Sequence, residues 1–248
     1  MHGPSTIHNL VYAYALNVAA DILDAACYPE LARKYRSEKK DLLKIIENLC
    51  YSKEMGLYRE GPAFEEYSQH AQIWAVLCGL ADGEKARQIM KAALCDNSLV
   101  PCSFVMQFYQ FRALEMAGMY EETKNLWDLW KNLLDLDLST VPEIPGKYTR
   151  SDCHAWGALL LHELPRKFLG VGPLSPGYEK VIIKPMGLYI GGISGEVPTP
   201  HGRASVKWLA KDGEFSIEGN TPVPAVVVLP DNSAHEASGK FSFAIKLR

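Results

Sequence analysis

The apolar period changes once along the chain, near residue 173, and that change limits the folds open to it. Before it, apolar residues recur at helical spacing; after it, they alternate. Val11, Tyr14, Ala15, Val18, Ile22 and Ala26 share one helical face, with Pro29 just beyond. Leu42, Ile45, Ile46 and Leu49 mark a second helix, and Ile73, Val76, Leu77 and Leu80 a third. Ala86, Ile89, Met90 and Ala93 define a fourth. Phe104, Phe108, Phe111 and Leu114 trace a fifth, closed by Gly118, and Leu126, Trp127, Trp130, Leu133 and Leu134 line a sixth. A seventh carries Trp156, Leu159, Leu160 and Leu164 and meets Pro165. Short links alternate with long, residue-rich ones, which suits hairpins stacked in a toroid or solenoid.

Beyond "GVGPLSPG", the stretches "YEKVIIKP", "GRASVKWLA", "GEFSIEG", "PAVVVLP" and "KFSFAIKLR" read as short strands parted by turns. "KDG" predicts a tight hairpin. With no helix available to cross between parallel strands, an antiparallel sandwich is expected. The predicted class is mainly α with a smaller all-β domain: residues 1–172 helical, residues 173–248 a β-sandwich.

Composition removes several function classes. The 248 residues, 48% hydrophobic, suffice for a large core. A formal net charge of −3, with no basic stripe, argues against a nucleic-acid partner. No apolar run is long enough to span a bilayer, so no membrane partner is expected. The first residues lack the basic flank and cleavage site of a secretory signal. Six cysteines, none in a CxxC pair, read as free thiols, three of them (Cys27, Cys50 and Cys78) in apolar helical patterns; this mildly favours a reducing, cytoplasmic setting and argues against structural zinc. Scattered histidines predict no catalytic metal. The absence of GxGxxG, of a phosphate loop and of G-x-S-x-G leaves no cofactor or nucleophile elbow.

Chemistry-bearing side chains gather in "TVPEIPGKYTRSDCHAW". Pro142, Pro145 and Gly146 forbid regular helix there, so Glu143, Arg150, Asp152, His154 and Trp156 lie on an irregular segment, where binding groups are commonly found. By residue type alone, Glu143 is a solvated loop carboxylate. Asp152 reads as a helix cap, and Arg150 pairs with Glu143 or Asp152 or faces water. His154 either caps the helix or meets a ligand. The spacing of Trp156 with Leu159 and Leu160 favours core packing over an exposed stacking role. In "EEYSQHAQIW", Ser68 predicts an N-cap, and Gln69 and His70 either serve structure or shape a pocket.

The ordered motifs "RSDCHAWGALLLHELPRKFLGVGPLSPGYEKVIIKP" and "GEVPTPHGRASVKW" resemble the C-terminal part of bacterial-type α-L-rhamnosidases. "GLYREGPAFEEYSQHAQIWAVLCGLADGEKA" is similar to the middle hairpins of the same enzymes. The resemblance covers nearly the whole chain. It implies part of an (α/α)6 toroid over residues 1–172, followed by an antiparallel β-sandwich over 173–248, in an inverting glycosidase acting on rhamnose-containing glycosides or polysaccharides. Inversion needs a general acid and a general base roughly 6.5–9.5 Å apart, with the attacking water between them. Glu143 matches the base position, although Pro142 stands where many relatives have an aromatic or small residue. The resemblance makes His154 a sugar contact and brings Trp156, Arg150, Asp152, Gln69 and His70 in as pocket candidates.

A complete toroid of this kind has twelve helices, against the seven read here, and the upstream acid-bearing segment of the family has no counterpart in this sequence. The expectation is therefore the back half of an enzyme, inactive alone, that self-associates through the "HNLVYAYALNVAADIL" face. A non-catalytic carbohydrate-binding or scaffolding remnant is the rival reading. A barrel glycosidase for another sugar is a third, because function belongs to the site and not to the fold.

Overall fold

A computed structural model of the protein describes residues 3–136, 138–144 and 149–247. It divides into two compact units, Met1–Met119 with Glu143–Arg150, and Tyr120–Pro142 with Ser151–Arg248.

The first unit is built from helices α1 (Thr6–Ala25), α2 (Pro29–Cys50), α3 (Gln69–Leu77), α4 (Gly83–Cys95) and α5 (Phe104–Met116), with a small hairpin of β1 (Tyr51–Ser52) and β2 (Leu57–Tyr58). Ser5 caps α1 by accepting from the His8 N–H at 3.4 Å. Pro29 begins α2, where its missing N–H costs nothing. Helix α3 is the centre of the unit: every residue from Ala71 to Leu77 is buried, and α1, α4 and α5 pack around it. It stops at Gly79, whose φ of +73° lets the Leu80 N–H reach back to the Ala75 carbonyl at 2.9 Å. The α4 face of Ala86, Ile89, Met90 and Ala93 is buried as its spacing predicts.

Helix α1 departs from expectation. It buries Leu10, Ala13, Leu16 and Ala20, whereas Val11, Tyr14, Val18 and Ile22 are exposed, Ile22 by 63%. Both faces are apolar, and the buried one bears the small residues Ala13 and Ala20. Ile45 and Leu49 of α2 are likewise exposed. Cys50, Cys78 and Cys102 are buried thiols, but Cys27 is exposed in the left-handed turn that ends α1. Tyr58, fully buried, donates to Glu47 at 2.6 Å and accepts from Lys85 at 2.8 Å, joining α2, the hairpin and α4. Burial, aided by Glu47, raises its phenol far above the ordinary value.

In the second unit the two expected helices are broken. Tyr120–Trp127 is a 3₁₀ helix leading into α6 (Asp128–Lys131). The other is a 3₁₀ turn at Ala155–Gly157, then α7 (Leu160–Glu163), then a π-turn over Leu164–Phe168. Pro165 removes a donor from that last segment.

The sheet comprises β3 (Val171–Pro173), β4 (Val181–Ile183), β5 (Gly192–Thr199), β6 (Gly202–Lys211), β7 (Glu214–Val228) and β8 (Ala234–Lys246), in the order β3-β4-β7-β6-β5 with β8 beside β7. Asp212 and Gly213, both at positive φ, form the expected hairpin between β6 and β7. Two stretches read as separate strands are one: β7 pairs with β6 through Asn220 and with β4 from Ala225, bulging in between at Pro222 and Pro224. Pairing is antiparallel except between β4 and β7, where Val181 lies opposite Ala225 in parallel register. The β5–β6 hairpin supplies the crossover that was expected to need a helix.

Buried residues of β3, β4, β6 and β7, including Val171, Ile183, Val206, Trp208, Ile217 and Val227, form one cluster, so the sheet closes over a shared, sandwich-like core. Tyr189 fastens the 3₁₀ segment to this unit through Trp127 at 2.8 Å and Thr123 at 2.9 Å.

Candidate functional site

The chemistry-bearing loop is built on close backbone packing. In the second unit, the His154 N–H donates to the Val141 carbonyl at 2.7 Å, and Thr140 Oγ1 donates to the Asp152 carbonyl. Trp130 Nε1 donates to the Gly157 carbonyl at 3.0 Å. A Cβ on Gly157 would lie 2.5 Å from Val141 Cγ1, so only glycine permits this approach.

His154 occupies the cap position of the short 3₁₀ turn without a side-chain capping bond; Asp152, read from sequence as the cap, lies two residues earlier, exposed. The half-buried His154 ring stands edge-on to Trp156, centroids 5.5 Å apart at 89°, and makes no hydrogen bond with a described residue. Trp156 is 70% exposed, which overturns its core-packing reading. Leu159 takes the buried position instead. An aromatic face beside an imidazole free to donate and accept is a combination suited to a polyhydroxylated ligand.

Glu143 belongs to the first unit, with Arg150. Arg150 grips it by a two-pronged fork, Nε donating to Oε2 at 2.8 Å and Nη2 to Oε1. Of the partners considered for Arg150, Glu143 is the one found. Arg150 is 80% exposed, so the pair adds little stability; its effect is to fix the plane of the carboxylate. Pro145 and Gly146 lie outside the described residues.

Gln69 and His70, also in the first unit, behave differently from each other. The Gln69 amide is used at both ends, donating to the Ala93 carbonyl and accepting from the Cys102 N–H, each at 2.8 Å. It ties the start of α3 to the end of α4. Ser68 caps α3 as predicted, accepting from the Ala71 N–H at 3.2 Å, and its hydroxyl donates to Glu60. His70 is half-buried with no hydrogen-bond partner among the described residues; burial lowers its pKa, opposed by Glu60.

His70 and Ser68 line a cleft of about 540 Å³ with Glu60, Glu66, Ile7, Phe64 and Val100. Glu60, only 6% exposed, is a residue that the sequence did not single out. In "YREGPAFEEY" nothing in spacing separates it from Glu65 and Glu66; burial alone does. Among the described residues, no three metal-ligating side chains converge.

Helical hairpins followed by a mostly antiparallel sheet define the fold class, with an oriented carboxylate in the first unit and an exposed Trp–His pair in the second. Comparisons narrow the class. Residues 170–243 match the model of the bacterial α-L-rhamnosidase C-terminal domain. A glycoside hydrolase family 78 rhamnosidase from Bacillus sp. GL1 superposes with a TM-score of 0.80 at 26% identity, over 93% of this chain and 26% of its own. An α-L-rhamnosidase from Dictyoglumus thermophilum gives a TM-score of 0.80 over 96% of this chain and 31% of its own, at 15% identity. One from Streptomyces avermitilis, complexed with L-rhamnose, gives 0.77 over 96% and 26%, at 16% identity. At those two identities the likeness shows the fold alone. No match is found among curated proteins. The chain resembles the C-terminal part of bacterial-type α-L-rhamnosidases and spans about a quarter to a third of the length of these three enzymes.

Proposed function

We propose that this chain is the base-bearing C-terminal portion of an inverting α-L-rhamnosidase, with the general acid supplied by sequence outside these residues. Residues 1–172 contribute to an (α/α)6 toroid, and residues 173–248 form the trailing sandwich. The substrate is a terminal α-L-rhamnoside of a glycoside or polysaccharide. Glu143 takes the proton from the attacking water, and Arg150 orients its carboxylate. In the second unit, His154 and Trp156 contact the sugar and Asp152 stands beside them in sequence; in the first, Gln69 serves structure by tying the start of α3 to the end of α4, and His70 lines a separate cleft. The observation that carries this reading is the Arg150 fork on Glu143, which positions a carboxylate in the loop matching the base position.

The same fork favours a second reading. Both oxygens of Glu143 already accept from Arg150, as they would in a non-catalytic carbohydrate-binding remnant. Turnover separates the two. The full-length enzyme should release nitrophenol from nitrophenyl α-L-rhamnoside, and the purified 248-residue chain should release none. Robust release by this chain alone would sink the division of acid and base. Val11, Tyr14, Val18 and Ile22 leave an exposed apolar stripe on α1, and we propose that the isolated chain self-associates through it; the same preparation should scatter light above its monomer mass.

A further inference from the structure

We infer that the cleft of the first unit is a sugar subsite in its own right, with Glu60 as its hydroxyl acceptor. Its choice of L-rhamnose as occupant rests on the function proposed above. The argument starts from unused hydrogen-bonding capacity. One oxygen of Glu60 accepts from Ser68. The other has no hydrogen-bond partner among the described residues and is not among the sealed side-chain atoms, so it opens into the cleft that the residue lines. An ionised carboxylate can only accept, so its ligand must bring donors. The His70 ring, also without a hydrogen-bond partner among the described residues, offers one donor and one acceptor when neutral.

The walls restrict the ligand further. Ile7, Phe64 and Val100 are apolar, and among the described residues no lysine or arginine lines the cleft. With Glu60 and Glu66 both acidic, an anionic sugar is repelled. A neutral ring with several hydroxyls and one apolar edge satisfies every wall, and a 6-deoxyhexose has that shape. The cleft's volume of about 540 Å³ accommodates a monosaccharide with water to spare.

The site is rigidly built. The Thr6 N–H donates to the Glu60 carbonyl at 2.8 Å, and the Glu60 N–H donates to the Glu66 carbonyl at 3.0 Å. A Cβ on Gly61 would come within 2.7 Å of Phe64 Cδ2, so glycine lets the Phe64 ring lie close beside Glu60.

The test is a titration of the isotopically labelled 248-residue chain with L-rhamnose, read from the ring resonances of His70. A saturable shift with millimolar affinity is expected, weakened about tenfold in Glu60→Gln, which keeps the shape but loses a charge-assisted bond. L-Mannose, which differs by a hydroxyl at C6, should bind several-fold more weakly, and D-glucuronate should not bind. His154→Ala should leave the His70 shift intact, placing the event in the cleft. Unchanged resonances elsewhere in Glu60→Gln establish that it is folded. No His70 shift at high rhamnose, or equal affinity in folded Glu60→Gln, overturns the inference. The base role of Glu143 is read by turnover and not by this binding, so the two can fail separately.

Discussion

Glu143→Gln in the full-length enzyme lowers kcat by about 10²–10⁴-fold while KM changes little, the range by which a positioned general base accelerates a reaction. Glutamine has the same shape and can still accept from Arg150, so sugar binding survives. It cannot take the proton of the attacking water. The defect has a signature. In an inverting displacement the base acts on the water side and the acid on the leaving-group side. The ratio of wild-type to Glu143→Gln rates should therefore be alike for a nitrophenyl rhamnoside and an alkyl rhamnoside. A defect that vanishes with the good leaving group would assign Glu143 to the acid side. Arg150→Lys keeps the positive charge but loses the fork, so its kcat should fall less than that of Glu143→Gln. Near-normal kcat in Glu143→Gln would remove the residue from the reaction.

The second large effect is on folding. Trp208 is 2% exposed at the centre of the sheet's core, and its indole N–H donates to the Phe168 carbonyl at 2.6 Å. Its ring lies 5.8 Å from that of Phe215. Trp208→Ala removes this packing and leaves a buried carbonyl unpaired, at a cost of about 3–5 kcal/mol. That is a large share of an ordinary domain's stability. Trp208→Phe keeps most of the packing and loses the bond, so it should cost about 1–3 kcal/mol. Denaturant unfolding combined with hydrogen exchange of the β6 and β7 amides measures both. A Trp208→Ala midpoint equal to wild type would mean the core is organised around other residues.

Legibility followed contrast in the sequence. Helix α4 was readable because its apolar stripe is flanked by charges, and the β6–β7 hairpin because Asp-Gly has few other uses. Helix α1 offered less contrast: apolar side chains lie on two of its faces, and the buried one carries the smaller residues Ala13 and Ala20 beside Leu10 and Leu16. Strand β5 was missed because Gly192, Gly195 and Pro198 interrupt any alternation; its place comes from pairing with β6 along its whole length. Pro222 and Pro224 looked like the end of a strand, yet a bulge absorbs them.

In the candidate site, the family resemblance nominated His154 and Trp156, while helical spacing misjudged the exposure of Trp156, because the helix that would have buried it is only a 3₁₀ turn. Gln69 was nominated for a pocket and is consumed by backbone bonds. Glu60 was invisible, since a carboxylate's burial depends on which distant segment covers it.

Azide rescue tests the central claim most directly. In full-length Glu143→Ala, azide needs no deprotonation, so it can attack the anomeric carbon from the vacated side as the aglycone leaves with the acid's proton. The account predicts restored turnover and β-L-rhamnosyl azide as the product in the NMR spectrum. No rescue, or an azide of the α configuration, would contradict it.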